Sequence, residues 1–420
     1  MEKNLFESIY GYENIKLELK RILNQLLEPE KYADLGVVEP HGLLFYGIPG
    51  VGKSTFAKSF IDATGRKAFV CRKDKSNGEF VNEIVRIFDE AEKAAPSIIL
   101  LDDIDKFANE DEKRRDSEEF VTVQSCIDRV KEKQVFVVAT ANNIRKLPDS
   151  LVRAGRFDYV LELKCPRGKD AEDIVSYYLS CKNFVADVDS KRIARLLEGK
   201  SCAELERIIN LAGSYAGYEG RKKLEMKDIL RAILRIIFKA PETLKRSEYC
   251  SKIVAYHEAG HALIAELLEP GSVNLVTIEA YDSDSLGITS TYPHEDYRYS
   301  KELMENRVIC VLAGKAATEI CLEIVDAGVE NDLMIAFHIV QRFVEDYCTY
   351  GFDNYIYDKE ASNGILERRD TRVAEEMKRY YTLTKQLLSE NKEKLEELAS
   401  LLLKEKTLLG DRVQMVMKAA

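Results

Sequence analysis

The sequence predicts an α/β unit with a parallel, doubly wound sheet, followed by a mostly α-helical unit. Three observations carry that expectation. Gly42-Leu43-Leu44-Phe45-Tyr46 is a short apolar run that enters Gly47-Ile48-Pro49-Gly50-Val51-Gly52-Lys53-Ser54, and a helical pattern continues through Phe60. Two further apolar runs, Ser97 to Leu101 and Gln134 to Thr140, alternate with helical patterns, which is how parallel sheets are built. Far downstream, His257-Glu258-Ala259-Gly260-His261 lies inside an apolar helical stretch.

Bulk properties bound the answer. A length of 420 residues suggests two or three domains, and 45% apolar content supplies ordinary cores. A net charge of -10 argues against nucleic acid as the main partner, which would want a basic face. The nine cysteines form no C-x-x-C pair, a usage that fits a reducing cytosol rather than a disulfide framework. Met1-Glu2-Lys3-Asn4 is polar and opens no signal peptide, and no apolar run approaches the ~20 residues that span a bilayer. A soluble, cytoplasmic chain without a membrane anchor is expected.

Taken in order, residues 12–33 read as one amphipathic helix, with Ile15, Leu17, Leu19, Ile22, Leu23 and Leu26 among charges. The run from Gly47 to Ser54 is G-x-x-x-x-G-K-S between a strand and a helix, the setting in which backbone N–H groups turn inward around phosphates. Lys53 is expected at the terminal phosphates and Ser54 on magnesium, with the helix N-terminus adding its positive end. Asp102, closing the strand from Ser97, is expected to hold the magnesium shell, and Asp103 to polarise the attacking water. Asn142 can orient that water. Residues 166–240 turn helical, with periods at Ile174–Leu179, Ile193–Leu197, Leu205–Tyr215 and Ile229–Ile237, and read as a small lid. Phe238 to Thr243 reads as a linker, because Pro241 stops the preceding helix. The expected boundaries are 1–165, 166–240, a linker at 241–247, and 248–420. A weak strand pair, Asn274–Glu279 and Gly287–Tyr292, follows the histidine motif, and the rest looks helical. The Lys and Glu of 366–406 read as a solvated face.

The histidine motif carries its own chemistry. Residues four apart on a helix lie nearly above one another, so His257 and His261 can offer imidazoles to one metal. Glu258 sits beside them, placed to take a proton from a metal-bound water as it attacks a carbonyl. Two histidines leave a zinc site one protein ligand short. A third histidine at 267 would mark a metzincin, and the residue there is Leu267. Glu319, Glu323, Glu330, Asp332 and His338 remain as candidates. His41, His294 and, if it is no ligand, His338 read as ordinary surface or packed histidines.

In this order the motifs resemble the FtsH-type family, ATP-dependent zinc metalloproteases of the AAA class, from about Ile9 to the C-terminal helices. The resemblance implies an AAA P-loop ATPase core with a helical lid, then a mostly helical zinc peptidase domain, with zinc, ATP and magnesium as cofactors. Gly47, Ile48, Pro49, Gly50, Val51, Gly52, Lys53, Ser54 and Thr55 are the implied nucleotide contacts, joined by Asp103 and by Asn142 as first sensor. Arg153 and Arg156, in Leu151 to Asp158, match the arginine fingers that act on a neighbour's nucleotide. Gly199 to Leu205 is similar to the lid motif. Gly328-Val329-Glu330-Asn331-Asp332 matches the segment bearing the third zinc ligand, which selects Asp332. Asp284 to Thr289 resembles the edge strand that pairs with substrate backbone. A homohexameric ring acting on polypeptides is implied.

Three departures stand out. The chain begins directly at the ATPase, so membrane anchoring does not carry over. The usual Asp-Glu pair is Asp102-Asp103 here, one methylene shorter, and a water held about 1 Å off costs on the order of a hundredfold. The substrate-gripping loop, normally aromatic-aliphatic-glycine, corresponds to the polar Arg72 to Glu79, and only Phe80 is aromatic. The first reading is therefore an ATP-dependent endopeptidase for unfolded or weakly folded proteins. The second is a chaperone-like or assembly ring with weak ATP hydrolysis.

Overall fold

The structure, a computed structural model, describes residues 6–74, 77–108, 117–153, 155–183, 185–240, 246–279, 286–292, 300–325, 327–352 and 362–418. It divides into two compact units, Met1–Ile229 and Leu230–Ala420. Of the expected linker 241–247, residues 241–245 lie outside the described ones.

The first unit opens with α1 (Glu13–Leu27) and α2 (Pro29–Ala33). The single helix expected over 12–33 is thus two. Glu28 leaves helical geometry at φ -123°, because Pro29 disfavours the α conformation in the residue before it and starts a new helix at N1. Then come β1 (Gly42–Tyr46), α3 (Lys53–Thr64), β2 (Lys67–Cys71), α4 (Asn77–Lys93), β3 (Ser97–Leu101), α5 (Glu118–Val130), β4 (Val135–Ala141) and β5 (Tyr159–Glu162). All five strands are parallel, in the order β2-β3-β4-β1-β5. The central runs Ser97–Leu101 and Val135–Ala141 are buried along their whole length, as strands covered on both faces must be. Register sets Leu44 beside Ala139 and Ile99 beside Val137, so the ends of β1, β4 and β3 finish side by side. Everything that follows those strands therefore gathers at one edge.

The lid comprises α6 (Gly168–Ser180), β6 (Val185–Asp187), α7 (Ser190–Leu196), α8 (Cys202–Tyr218), β7 (Lys223–Glu225) and α9 (Met226–Ile236). Ser201 and Glu204 form a reciprocal capping box at the start of α8, a device whose loss costs about 1 kcal/mol. The same helix start is pinned to the phosphate-loop sequence, since the Ala203 amide donates to the Gly50 carbonyl at 3.0 Å.

The second unit is mainly helical: α10 (Glu248–Leu268), β8 (Val273–Thr277), β9 (Ile288–Thr291), α11 (Lys301–Leu322), α12 (Glu330–Glu345), α13 (Asn363–Glu390), α14 (Lys392–Glu405), β10 (Thr407–Leu409) and α15 (Gly410–Lys418). Helices α10 and α11 share a core of Ala255, Ala259, Leu263, Leu312, Ala313 and Ala317, in which the four alanines let the two axes approach. The strands form an antiparallel sheet in the order β10-β8-β9, and β10 interrupts the helical run expected to the C-terminus. One charge of the 366–406 stretch departs from the solvated reading. Glu376 is buried on α13 and compensated by Arg372 and Arg379, each at 2.7 Å, and by the Tyr350 hydroxyl at 2.9 Å.

Candidate metal centre and nucleotide site

Helix α10 carries His257, Glu258 and His261 one turn apart, and α12 brings Asp332 up to them. The two Nε2 atoms lie 3.0 Å apart, and Asp332 Oδ2 lies 3.1 Å from His257 Nε2 and 3.2 Å from His261 Nε2. Three atoms that donate lone pairs repel at this separation unless a cation sits among them. The triangle is close to the edge of a zinc tetrahedron with bonds of about 2.0 Å, roughly 3.3 Å. The donor set, two imidazoles and one carboxylate, fits zinc. His261 Nδ1–H donates to the Cys310 carbonyl at 2.8 Å, which leaves Nε2 to face the metal position. Space for the ion comes from Gly314 on α11, where a Cβ would stand 2.5 Å from His257 Nε2 and 2.6 Å from His261 Nε2.

Asp332 and His261 shift each other's titration. Burial pushes the Asp332 carboxyl up, but hydrogen bonds from His257 and His261 outweigh it and hold the group well below the usual carboxylate range. Burial alone would lower His261; its bonds to Asp332 and the Cys310 carbonyl outweigh burial and raise it well above its ordinary value. The other candidates for a third ligand lie elsewhere. Glu319 pairs with Lys315 and, at 2.7 Å, with Lys385. Glu323, Glu330 and His338 are exposed. His294 and the residues Asp284 and Ser285 of the expected edge strand lie outside the described residues.

Glu258 is only 5% exposed and lies against β9. The Thr289 hydroxyl donates to its Oε2 at 2.7 Å, an interaction the sequence did not announce. A cavity of about 550 Å³ opens over this cluster, walled by Gly287 to Thr289 on one side and by Asn306, Arg307, Cys310 and Val311 of α11 on the other.

The nucleotide site is drawn at the strand ends. Gly50 and Gly52 take φ of 82° and 99°, the left-handed region in which glycine is at home, and α3 starts at Lys53. Lys53 Nζ donates to the Gly47 and Ile48 carbonyls at 2.8 and 2.9 Å; Ile48, Pro49, Ser54 and Thr55 are exposed and Val51 is buried. A hydrogen-bonded chain links the acids to the sensor. The Thr140 hydroxyl donates to Asp102 Oδ1 at 2.8 Å and accepts from the Asp103 amide at 2.9 Å. Asn142 Nδ2 donates to Asp103 Oδ1 at 3.2 Å, and Lys106 Nζ sits 2.7 Å from Oδ2. Asp105 accepts the Asn142 and Asn143 amides at 3.0 and 3.2 Å, a brace missed in the sequence because a strand-end acid has no fixed partner there. The exposed Arg72 guanidinium pairs with Asp102.

The two arginines differ. Arg156 is engaged within its own unit, donating to Asp128 at 2.7 Å, to Gln124 at 3.1 Å and to the Ser150 carbonyl at 2.8 Å. Asp128 is pulled down to about 2, chiefly by that guanidinium. Arg153 is exposed, without an ion pair among the described residues; Ala154 lies outside them. Phe80, the aromatic of the expected gripping region, is 0% exposed, its ring 4.8 Å from that of Phe107. Lys75 and Ser76 of that loop lie outside the described residues.

Comparison with known proteins agrees with this division. Residues 43–165 match the model of the ATPase family associated with various cellular activities (AAA), and residues 245–416 match peptidase family M41. The chain is 30% identical to an ATP-dependent zinc metalloprotease FtsH of Thermus thermophilus, over 99% of this chain and 71% of the relative. It is 30% identical to FtsH 3 of Petrotoga mobilis, over 98% and 68%, and 29% identical to FtsH 2 of a Thermoanaerobacter species, over 97% and 82%. No helix among the described residues is long and apolar enough to cross a membrane.

Proposed function

Because this chain belongs to the FtsH family of ATP-dependent zinc metalloproteases, we propose that it is a ring-forming endopeptidase for unfolded or weakly folded polypeptides. The chain is an ATP-dependent zinc protease with an AAA domain and an M41 domain, and its cofactors are zinc, ATP and magnesium.

In this reading His257, His261 and Asp332 hold the zinc, whose chemistry when bound is to polarise the scissile carbonyl and acidify a water. Glu258 takes the proton of the attacking water and returns it to the leaving amine. The substrate backbone lies along β9, whose outer edge has no strand partner among the described residues. In the motor, Lys53 meets the terminal phosphates, Ser54 and Asp102 hold magnesium, and Asp103 and Asn142 orient the water. Arg153, with Arg156 behind it, acts on the nucleotide of a neighbouring subunit, which is why a closed homohexamer is proposed. All nine cysteines are unpaired, which favours the cytoplasm.

The observation that carries the reading is the triangle of His257, His261 and Asp332 beside the buried Glu258. The test is zinc content of the purified chain together with fragmentation of an unfolded protein, with ATP and with ADP. About one zinc per chain and ATP-stimulated fragments are expected. Polypeptide captured in an ATP-dependent way but never cut would instead favour the chaperone-like ring.

A further inference from the structure

Glu258 stands at the seam between α10 and β9, and two features at β9 fix it there. At Gly287, the residue just before the strand, the chain comes so close that a Cβ would lie 2.7 Å from both Cγ and Oε1 of Glu258. Two residues on, the Thr289 hydroxyl, its proton shared between the Glu258 carboxylate and the Glu258 backbone carbonyl, lies 2.7 Å from Oε2 and 3.1 Å from the carbonyl oxygen. A glutamate has three side-chain torsions, and the last is soft. A carboxylate aimed at a water therefore needs something besides its own helix to keep it aimed. Glu258 has the threonine hydroxyl on Oε2, and the side chain missing at Gly287 keeps the space beside Oε1 clear.

Strand β9 is not a neutral scaffold. It pairs with β8 on one side only among the described residues, Thr289 facing Val276 in register, and Ile288, Thr289 and Thr291 line the cavity over the metal cluster. A polypeptide that adds to this edge bonds to the same strand whose side chain holds the base.

We propose that Thr289 is a positioning residue for peptide cleavage. Its hydroxyl occupies Oε2 of Glu258 and so presents Oε1 to the attacking water, and it ties that orientation to the strand on which the substrate is laid. Bond making and breaking are unchanged by this: the proton leaves the water for Oε1 and departs with the amine, and Thr289 exchanges nothing. The inference rests on Glu258 being the base.

Thr289→Val keeps the shape and the strand preference of the residue and removes only the hydroxyl. Losing one hydrogen bond to a charged group should lower kcat for an unfolded peptide roughly ten- to a hundredfold. KM should stay within about twofold, because the substrate contacts are untouched. Zinc content should stay at the wild-type level, and an uncut peptide should bind Thr289→Val/Glu258→Gln as it binds Glu258→Gln. Thr289→Ser, which restores the hydroxyl, should recover most of kcat. An unchanged kcat in Thr289→Val overturns the proposal, as does loss of zinc or of peptide binding, or a serine variant no better than valine. Glu258→Gln, run alongside, separates the two levels. If it still cleaves, the base itself is misassigned; if it is inactive while Thr289→Val is fully active, only the role of Thr289 falls.

Discussion

The proposed third ligand, Asp332, is the residue on which the candidate metal centre turns. Asp332 makes contacts of 3.1 and 3.2 Å with the two histidines, whereas Glu319 is spent on Lys315 and Lys385. Asp332→Ala should reduce the protein ligands from three to two and empty the site, measured as zinc per chain after dialysis. Glu319→Ala should leave zinc in place and instead cost stability. Burial pushes Glu319 up, but its lysines and Tyr381 bring it down to about 2. A carboxylate lowered in the folded state stabilises above its ordinary value of 4.5 and loses that contribution as the pH falls towards 2. The difference in melting temperature between wild type and Glu319→Ala should therefore shrink over that window. Equal zinc loss in both variants would mean that the site collapses whenever this face is disturbed.

Elements explain why some of this could be read in advance. The histidines were legible because a helix repeats every 3.6 residues, so a spacing of four puts two imidazoles on one face whatever the fold. The P-loop was legible because phosphates dictate its backbone. Asp332 was not legible from residue spacing, which left five candidates; only the match to a family segment singled it out. Gly314 was silent for a related reason. It looks like any helix glycine, and its value appears only where α11 crosses α10 and a Cβ would crowd the Nε2 atoms of His257 and His261 at 2.5 and 2.6 Å. Gly314→Ala should favour the helix itself, since alanine is the better helix former. Zinc affinity should nonetheless fall on the order of ten- to a hundredfold, measured by competition with a chelating dye. The break at Glu28-Pro29 was readable from the proline and was missed because the apolar period runs across it. The short β10 carries too few residues for a period of two to register against helical flanks.

At the scale of the whole molecule, the proposed ring divides function between subunits. Arg153 is exposed and Lys53 is buried under its own phosphate loop, which suits the first to a neighbour's nucleotide and the second to its own. Subunits carrying Arg153→Ala should bind ATP and hydrolyse it poorly, and subunits carrying Lys53→Ala should not bind it. Mixed assemblies should regain part of the ATPase rate, because each subunit supplies what its neighbour lacks. Absence of rescue in demonstrably mixed assemblies would place the arginine's action within its own chain.

The burial of Phe80 has a consequence for what such a machine selects. In the proposed ring, Arg72 to Phe80 offers no exposed aromatic among the described residues, so such a machine would not lower a client's unfolding barrier and would wait for the client to open. Cleavage then follows the population of the open form, provided opening and closing are fast beside the cut. Each 1.4 kcal/mol of client stability should slow its destruction about tenfold. The enzyme would cull a proteome by thermodynamic stability, with little regard to sequence, sparing sound molecules and removing their destabilised variants without any recognition tag.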